Sequence, residues 1–274
     1  MSLEQLAAAV REKRALLFVG AGVSRNMGLP SFKELVSHLA EELGYDPDIF
    51  STHGDYLELA EYYLLRHRSL ESLQEWMDKA WHKDIDIGSS AIHRLIVQLE
   101  FPTIYTTNYD SLLELAHERH GRPFRKVAGV HELMSGPWTP NRETQIIKFH
   151  GDFKDANTFV LTESQYFERL AFESPLDIRL RSDLLSGVTL FIGHRLSDIN
   201  IRYMFYKMAR LWEASTSSAV RPASFMFLTR PNPVQQALLE ARGVTPLVSE
   251  NDDPGEGLRE FLTDLLREVG NGGS

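Results

Sequence analysis

No cysteine occurs anywhere in the 274 residues. That excludes disulfides, a cysteine-ligated zinc ribbon and a cysteine nucleophile, and with them the protein classes that depend on them. Long apolar runs are also missing. None approaches the roughly 20 residues that a bilayer-spanning helix needs, so no membrane span is expected. Basic residues are in the minority: 29 Lys and Arg stand against 38 Asp and Glu, for a formal charge of −9. This balance argues against a broad basic surface and against direct nucleic-acid binding. The opening Met1-Ser2-Leu3-Glu4-Gln5 lacks both the basic and the apolar region of a secretory leader, which fits a cytoplasmic protein. The histidines show no H-E-x-x-H or comparable metal-ligand spacing, and no serine sits in a G-x-S-x-G elbow. What remains is ordinary for a soluble globular chain, with 43% apolar and 24% charged residues. Its length suits one large α/β domain or a domain plus a small module.

The stretch that organises the chain is Ala15-Leu16-Leu17-Phe18-Val19 followed by Gly20-Ala21-Gly22-Val23-Ser24. Five apolar residues with no polar face are too few for a buried helix and read as a buried strand. The glycines allow a sharp turn and the close approach of another backbone or a ligand. A strand, a glycine turn and a helix start form an anion site in open α/β sheets, though the same pattern also serves a plain tight turn. An amphipathic helix over 3–13 precedes this strand. After it, Ser31 lies three residues before Glu34, the spacing of a capping box, and a helix runs on to Gly44. Phe32 is either a core aromatic or a lid beside the glycine turn. Residues 45–88 change character, with Leu, Tyr, Glu and Arg at helical spacing and no strand-like run. They read as a helical insertion whose aromatics (Tyr56, Tyr62, Tyr63, Trp76, Trp81) form a core or an oligomer face.

From residue 89 onward helices alternate with short apolar or β-branched runs at 103–107, 124–128, 146–149, 159–161, 188–192, 224–228 and 244–248. Residues 129–145 read as a long loop, with Gly136-Pro137-Trp138 and Asn141 within it. A helix capped by Ser197 or Asp198 is expected to run to about Glu213, and a last helix covers 258–269. This alternation predicts an α/β fold with a mostly parallel sheet and helices on both faces. Three runs end in polar residues: Asn108-Tyr109-Asp110, His150-Gly151-Asp152 and Gly193-His194-Arg195. The carboxyl ends of parallel strands are where such sheets bind ligands. Asn108 and Asp110 also suit helix caps. His150 suits either a packed structural role or proton transfer near neutral pH.

Taken in order, Gly20-Ala21-Gly22-Val23-Ser24, Gly28-Leu29-Pro30-Ser31-Phe32, Thr107-Asn108-Tyr109-Asp110 and Phe149-His150-Gly151 resemble the sirtuin family over roughly residues 10–250. Phe191 to Asn200 is similar to the bacterial branch that hydrolyses NAD in antiphage defence. The resemblance implies a Rossmann-like NAD-binding domain made of residues 1–44 and 89–274, with 45–88 as the small helical module. It implies that Gly20, Ala21, Gly22, Val23 and Ser24 hold the NAD pyrophosphate, that Phe32 lies in a mobile cofactor loop, and that Gly193 adjoins the adenosine ribose. Asn108 would contact the nicotinamide-side ribose and place the attacking water, Asp110 would read the carboxamide, and His150 would be the base. Departures from protein-deacylating sirtuins are equally specific. The four zinc cysteines are absent, Ser31 and Lys33 replace the usual Asp and Arg, Thr107 replaces Gln, and Arg195 stands where Ser is common.

These features together lead to an expected NAD+ hydrolase, a glycohydrolase releasing nicotinamide and ADP-ribose, with NAD as substrate and no metal. A regulated effector of bacterial antiphage defence would fit, assembled as a homo-oligomer and working with a HerA-like hexameric ATPase. The alternatives are an NAD-dependent protein deacylase and a non-catalytic NAD or ADP-ribose sensor.

Overall fold

The computed structural model describes residues 2–25, 27–135, 143–171, 173–194, 199–213 and 221–271. Arg195, the helix cap expected at Ser197 or Asp198, and the loop residues Gly136-Pro137-Trp138 and Asn141 lie outside the described residues. Seven strands form one sheet: β1 (Ala15–Val19), β2 (Thr103–Thr106), β3 (Phe124–Val127), β4 (Thr144–Lys148), β5 (Val188–Ile192), β6 (Ser224–Leu228) and β7 (Val244–Val248). Their order across the sheet is β3-β4-β2-β1-β5-β6-β7, and every pairing is parallel. The α/β reading with helices on both faces therefore holds.

The apolar runs lack a polar face because both sides of the sheet are covered. Ala15, Leu17 and Val19 of β1 point into one core with Ile104, Ile146, Leu190 and Ile192. The helices Ser2–Arg11, Ala91–Leu99 and Pro254–Asn271 close that side. Phe18 points the other way, into a second core with Tyr105, Ile147, Phe191 and Met226, closed by the helices Pro175–Ser186 and Ile199–Glu213. The period of two in a strand accounts for this division. Each fully buried Leu or Phe contributes about 1.5–3 kcal/mol relative to exposure.

A third core lies apart from the sheet. It joins the helices Phe32–Leu43, Tyr56–His67 and Glu71–Trp81 through Leu35, Leu39, Leu59, Tyr63, Leu73 and Met77, and it takes in Tyr109, Phe159 and Leu161. Apolar packing of the insertion thus extends back to the helix before residue 45. That helix starts and stops as its sequence predicts. The Ser31 N–H donates to Glu34 Oε2 at 2.6 Å, and Gly44 ends the helix at φ 76°.

Two expectations need correction. Phe159-Val160-Leu161 is not a strand. Its single backbone bond toward the strand ends runs from Val160 N–H to the His150 carbonyl at 3.0 Å, and the Val160 carbonyl accepts from the Tyr109 hydroxyl at 2.6 Å. The run is apolar because it plugs the third core, a demand that a three-residue pattern does not distinguish from strand pairing. Nor is 129–145 wholly loop: Val130–Met134 forms a short helix and β4 already begins at Thr144. Among the described residues, no helix is long and apolar enough to cross a membrane.

Candidate active site

Strand register builds the site. Val19 stands opposite both Thr106 and Ile192, and Thr106 stands opposite Lys148, so β1, β2, β4 and β5 end at one level. The residues that follow, 20–24, 107–110, 149–152 and 193–194, are thereby brought together at the carboxyl edge. β1 has β2 on one side and β5 on the other, so the chain's path reverses across it. This is where open parallel sheets carry ligands.

The glycines answer first to backbone packing. The Gly22 N–H donates to the Gly193 carbonyl at 2.9 Å. A Cβ on Gly20 or Gly22 would lie 2.7 or 2.8 Å from that same oxygen. Gly193 itself has φ +69°, with the Val23 nitrogen 2.8 Å from where its Cβ would be. Three glycines thus let the turn after β1 nest into the end of β5. The turn also borders a cavity of about 410 Å³, lined among others by Ala21, Gly22, Ser24, Phe32, Asn108, Asp110, His150 and Gly193. Gly20 and Val23 are not among the lining residues; Val23 is packed into the first core.

Asn108 is buried, and its amide fastens two strand ends together. Its Nδ2 donates to the Gly20 carbonyl at 3.3 Å and to Ser24 Oγ at 3.0 Å, while its backbone N–H donates to Thr106 Oγ1 at 3.0 Å. A carbonyl can only accept, so these contacts fix which end of the amide is nitrogen. Oδ1 is left buried, with no partner among the described residues. Asp110 is not the cap itself: the N-cap position of the helix Leu112–Arg119 is Ser111, and Asp110, one residue earlier, accepts the Leu112 N–H at 3.1 Å and also lines the cavity.

His150 is buried and borders the cavity. Its Nδ1 lies 3.3 Å from the Tyr166 hydroxyl, and Nε2 is buried without a partner among the described residues. Burial, and then the positive Arg169 and the neighbouring His194, push its pKa down to about 3. The ring is thus neutral at physiological pH, the form in which a ring nitrogen accepts a proton. Gly151 follows for a steric reason. Its φ is +87°, and a Cβ there would lie 2.1 Å from the Thr158 carbonyl oxygen. Phe32 is 39% exposed on the cavity wall, its ring centroid 4.6 Å from that of Tyr56. It is a wall residue of the cavity, not a core aromatic.

Reasoning from sequence left several cavity residues unnamed as candidates. His194, noted among the polar strand ends but given no role, occupies the same place after β5 that His150 and Asn108 occupy after their strands, and it lines the same cavity. Burial pushes its pKa down to about 4. Tyr166 sits on the helix Glu163–Leu170, and no local pattern signals its approach to His150. Arg25 and Lys33 bring positive charge to the rim, and Tyr56 and Trp81 come from the helical insertion. Trp81 and Tyr63 are buried within the chain, which removes both from any oligomer face. Among the described residues, no three His, Cys, Asp or Glu side chains are grouped to hold a metal ion.

A seven-stranded parallel sheet, a glycine turn nested at its reversal point and an Asn–His pair at adjoining strand ends define a sirtuin-type α/β protein. The SIR2-like domain profile matches residues 102–247, more than half of the chain, and the chain belongs to that family. It is 28% identical over 207 residues to the NAD(+) hydrolase ThsA of Bacillus cereus (strain MSX-D12), a match that covers 74% of this chain and 42% of that protein. It is 26% identical over 244 residues to Defense-associated sirtuin 2 of Bacillus subtilis, covering 86% of this chain and 23% of that one. The chain thus spans less than half the length of the curated relatives it matches. The crystal structure of a Sir2 homologue–NAD complex aligns with a TM-score of 0.52 at 14% identity, over 97% of this chain and 94% of that chain. This last similarity shows the fold.

Proposed function

We propose that this chain is an NAD+ hydrolase that cleaves NAD+ to nicotinamide and ADP-ribose. The observation that carries the reading is a pair of polar atoms, Asn108 Oδ1 and His150 Nε2, buried at neighbouring strand ends beside one cavity with no hydrogen-bond partner among the described residues. Relatives named as NAD(+) hydrolases support it. Nicotinamide leaves NAD+ readily, so the protein's task is to exclude bulk water, stabilise a cation-like ribose and place one nucleophile.

The residues divide that task. Asn108 spends both amide hydrogens on Gly20 and Ser24, so toward the cavity it can only accept. It is suited to receive a hydrogen bond from a ribose hydroxyl or from the attacking water. With Nδ1–H donated to the Tyr166 oxygen, His150 offers the lone pair of Nε2, which takes the water proton directly or through a ribose hydroxyl. The carboxylate of Asp110 adds negative charge near the developing cation and can accept from the carboxamide of nicotinamide. Arg25 and Lys33 supply charge for the pyrophosphate beside the Gly20–Ser24 turn. The water oxygen bonds to the anomeric carbon as the carbon–nitrogen bond to nicotinamide breaks, and one proton is released.

The wider setting belongs to the same proposal. We take residues 45–88 as the small module, with Tyr56 and Trp81 on the cavity wall. A role as a cytoplasmic antiphage effector, a homo-oligomeric state and a HerA-like hexameric ATPase partner rest on the family resemblance. The deciding experiment is nicotinamide release from NAD+ by the purified chain, by Asn108→Ala and by His150→Ala, with light scattering on the same samples. Release by the wild type alone, without any peptide, is the expected result. Release only with an acylated peptide would replace the reading with a deacylase. Tight NAD+ binding with no release, even after the ATPase is added, would replace it with a sensor.

A further inference from the structure

β4 carries a lysine where its neighbours are apolar, and Lys148 is completely buried, with 0% exposure. Its ammonium donates to the Tyr109 carbonyl at 2.9 Å and to the Asp110 carbonyl. Glu114 Oε1 lies 3.3 Å away and Asp152 Oδ2 3.8 Å away, and Asp152 in turn pairs with Lys126 at 2.8 Å. An ammonium taken out of water is tolerated only where oxygens replace its hydration; here two carbonyls accept from it and two carboxylates stand at ion-pair distance. Two of these are main-chain carbonyls of the segment that presents Asn108 and Asp110. The lysine itself lies two residues before His150. It therefore ties the end of β4 to the end of β2, at the place where the two strands deliver different halves of the site.

We infer that Lys148 is a positioning residue, whose buried ammonium sets the distance between His150 and the Asn108–Asp110 segment by clamping the carbonyls of Tyr109 and Asp110. It does not touch the cavity, so it acts through the backbone that it holds. Glu114 and Asp152 balance its charge, and their own positions after β2 and β4 make the clamp two-sided. Burial raises the pKa of the Glu114 carboxyl. Burial also opposes the Asp152 carboxylate, but Lys148 and Lys126 outweigh it and hold that group below its ordinary value. The inference rests on the proposed NAD+ hydrolysis for its catalytic consequence, and on geometry alone for its structural one.

The test compares full-length wild type, Lys148→Met, Lys148→Arg and the charge-balanced Lys148→Met/Glu114→Gln by hydrogen exchange and by NAD+ turnover. In Lys148→Met, exchange should quicken selectively across residues 107–112 while other strands stay protected. Its kcat should fall by about 10²-fold, with KM within about threefold, because a small misplacement of reacting groups costs rate more than binding. Lys148→Arg can still donate to two carbonyls and should recover part of kcat. Unchanged exchange at 107–112 with unchanged kcat would overturn the inference. So would a uniform rise in exchange over the whole sheet, or failure of both Lys148→Met and the double variant to fold, since the lysine would then be a general stabiliser. If the wild type itself releases no nicotinamide, the hydrolase reading fails, while the exchange pattern still decides whether Lys148 clamps the segment.

Discussion

At the scale of single residues, a side chain that lines the cavity also holds strand ends together. Asn108 fastens β2 to the turn after β1 with its hydrogens, and its oxygen is buried with no partner among the described residues. Replacing His150 with Ala should lower nicotinamide release by about 10²–10⁴-fold, the usual worth of a placed base, while circular dichroism stays that of a folded α/β protein. Its low pKa makes a second expectation. With the free-enzyme value near 3, the neutral ring is fully present from pH 5 to 8, so kcat/KM should show no inflection near 6.5 from this histidine. A clear fall centred at 6.5 and absent from a His150 variant would contradict that environment. Asn108, Asp110 and His150 were legible in the sequence because each follows a β-branched or apolar run directly. Lys148 was not, since it sits inside such a run, and only three-dimensional packing reveals the four oxygens around it. Tyr166 was hidden because its approach to His150 is a tertiary event, set by how the helix Glu163–Leu170 packs.

At the scale of elements, the glycines separate two kinds of constraint. Gly22 is fixed by space and Gly28 by conformation. A Cβ at Gly22 meets the Gly193 carbonyl at 2.8 Å, whereas Gly28 has φ +80° and nothing within 4 Å. Gly22→Ala should therefore cost about 1–3 kcal/mol and weaken NAD+ binding, because the turn must withdraw from β5. Gly28→Ala should cost about 1 kcal/mol, the strain of the left-handed backbone alone, measured by denaturant unfolding. The capping box gives a milder test. Ser31→Ala should remove about 1 kcal/mol from the helix Phe32–Leu43 and loosen the loop holding Phe32, seen as a raised KM. The strands and this helix were legible because their signals are local: continuous apolar runs for a sheet covered on both faces, and Ser–Glu spacing followed by Gly for the helix. Residues 159–161 were misread because a core plug and a buried strand present the same three apolar side chains.

At the scale of the whole molecule, buried neutral histidines tie stability to pH. Burial depresses the pKa of His93 to about 4, despite the opposing pull of Asp110, and that of His150 to about 3. Below pH 6.5 the unfolded chain gains protons that the folded chain still refuses. Stability is thus complete above 6.5 and declines as pH falls, by up to about 1.4 kcal/mol per pH unit for each histidine. Tm should fall on acidification from pH 7 to 5 at constant ionic strength; a flat Tm over that range would show that neither ring is held neutral. The common level at which β1, β2, β4 and β5 end has a temporal consequence as well. Each pairing joins strands that are distant in the chain, and such contacts form late in folding. The last of the four is β5, whose Gly193 seats the turn after β1. A chain still emerging from the ribosome would hold Asn108 and His150 long before residue 193 exists to complete their surroundings. On the proposed hydrolase reading, the nascent chain would thus stay inert until β5 has been made, with only β6, β7 and their helices still to come.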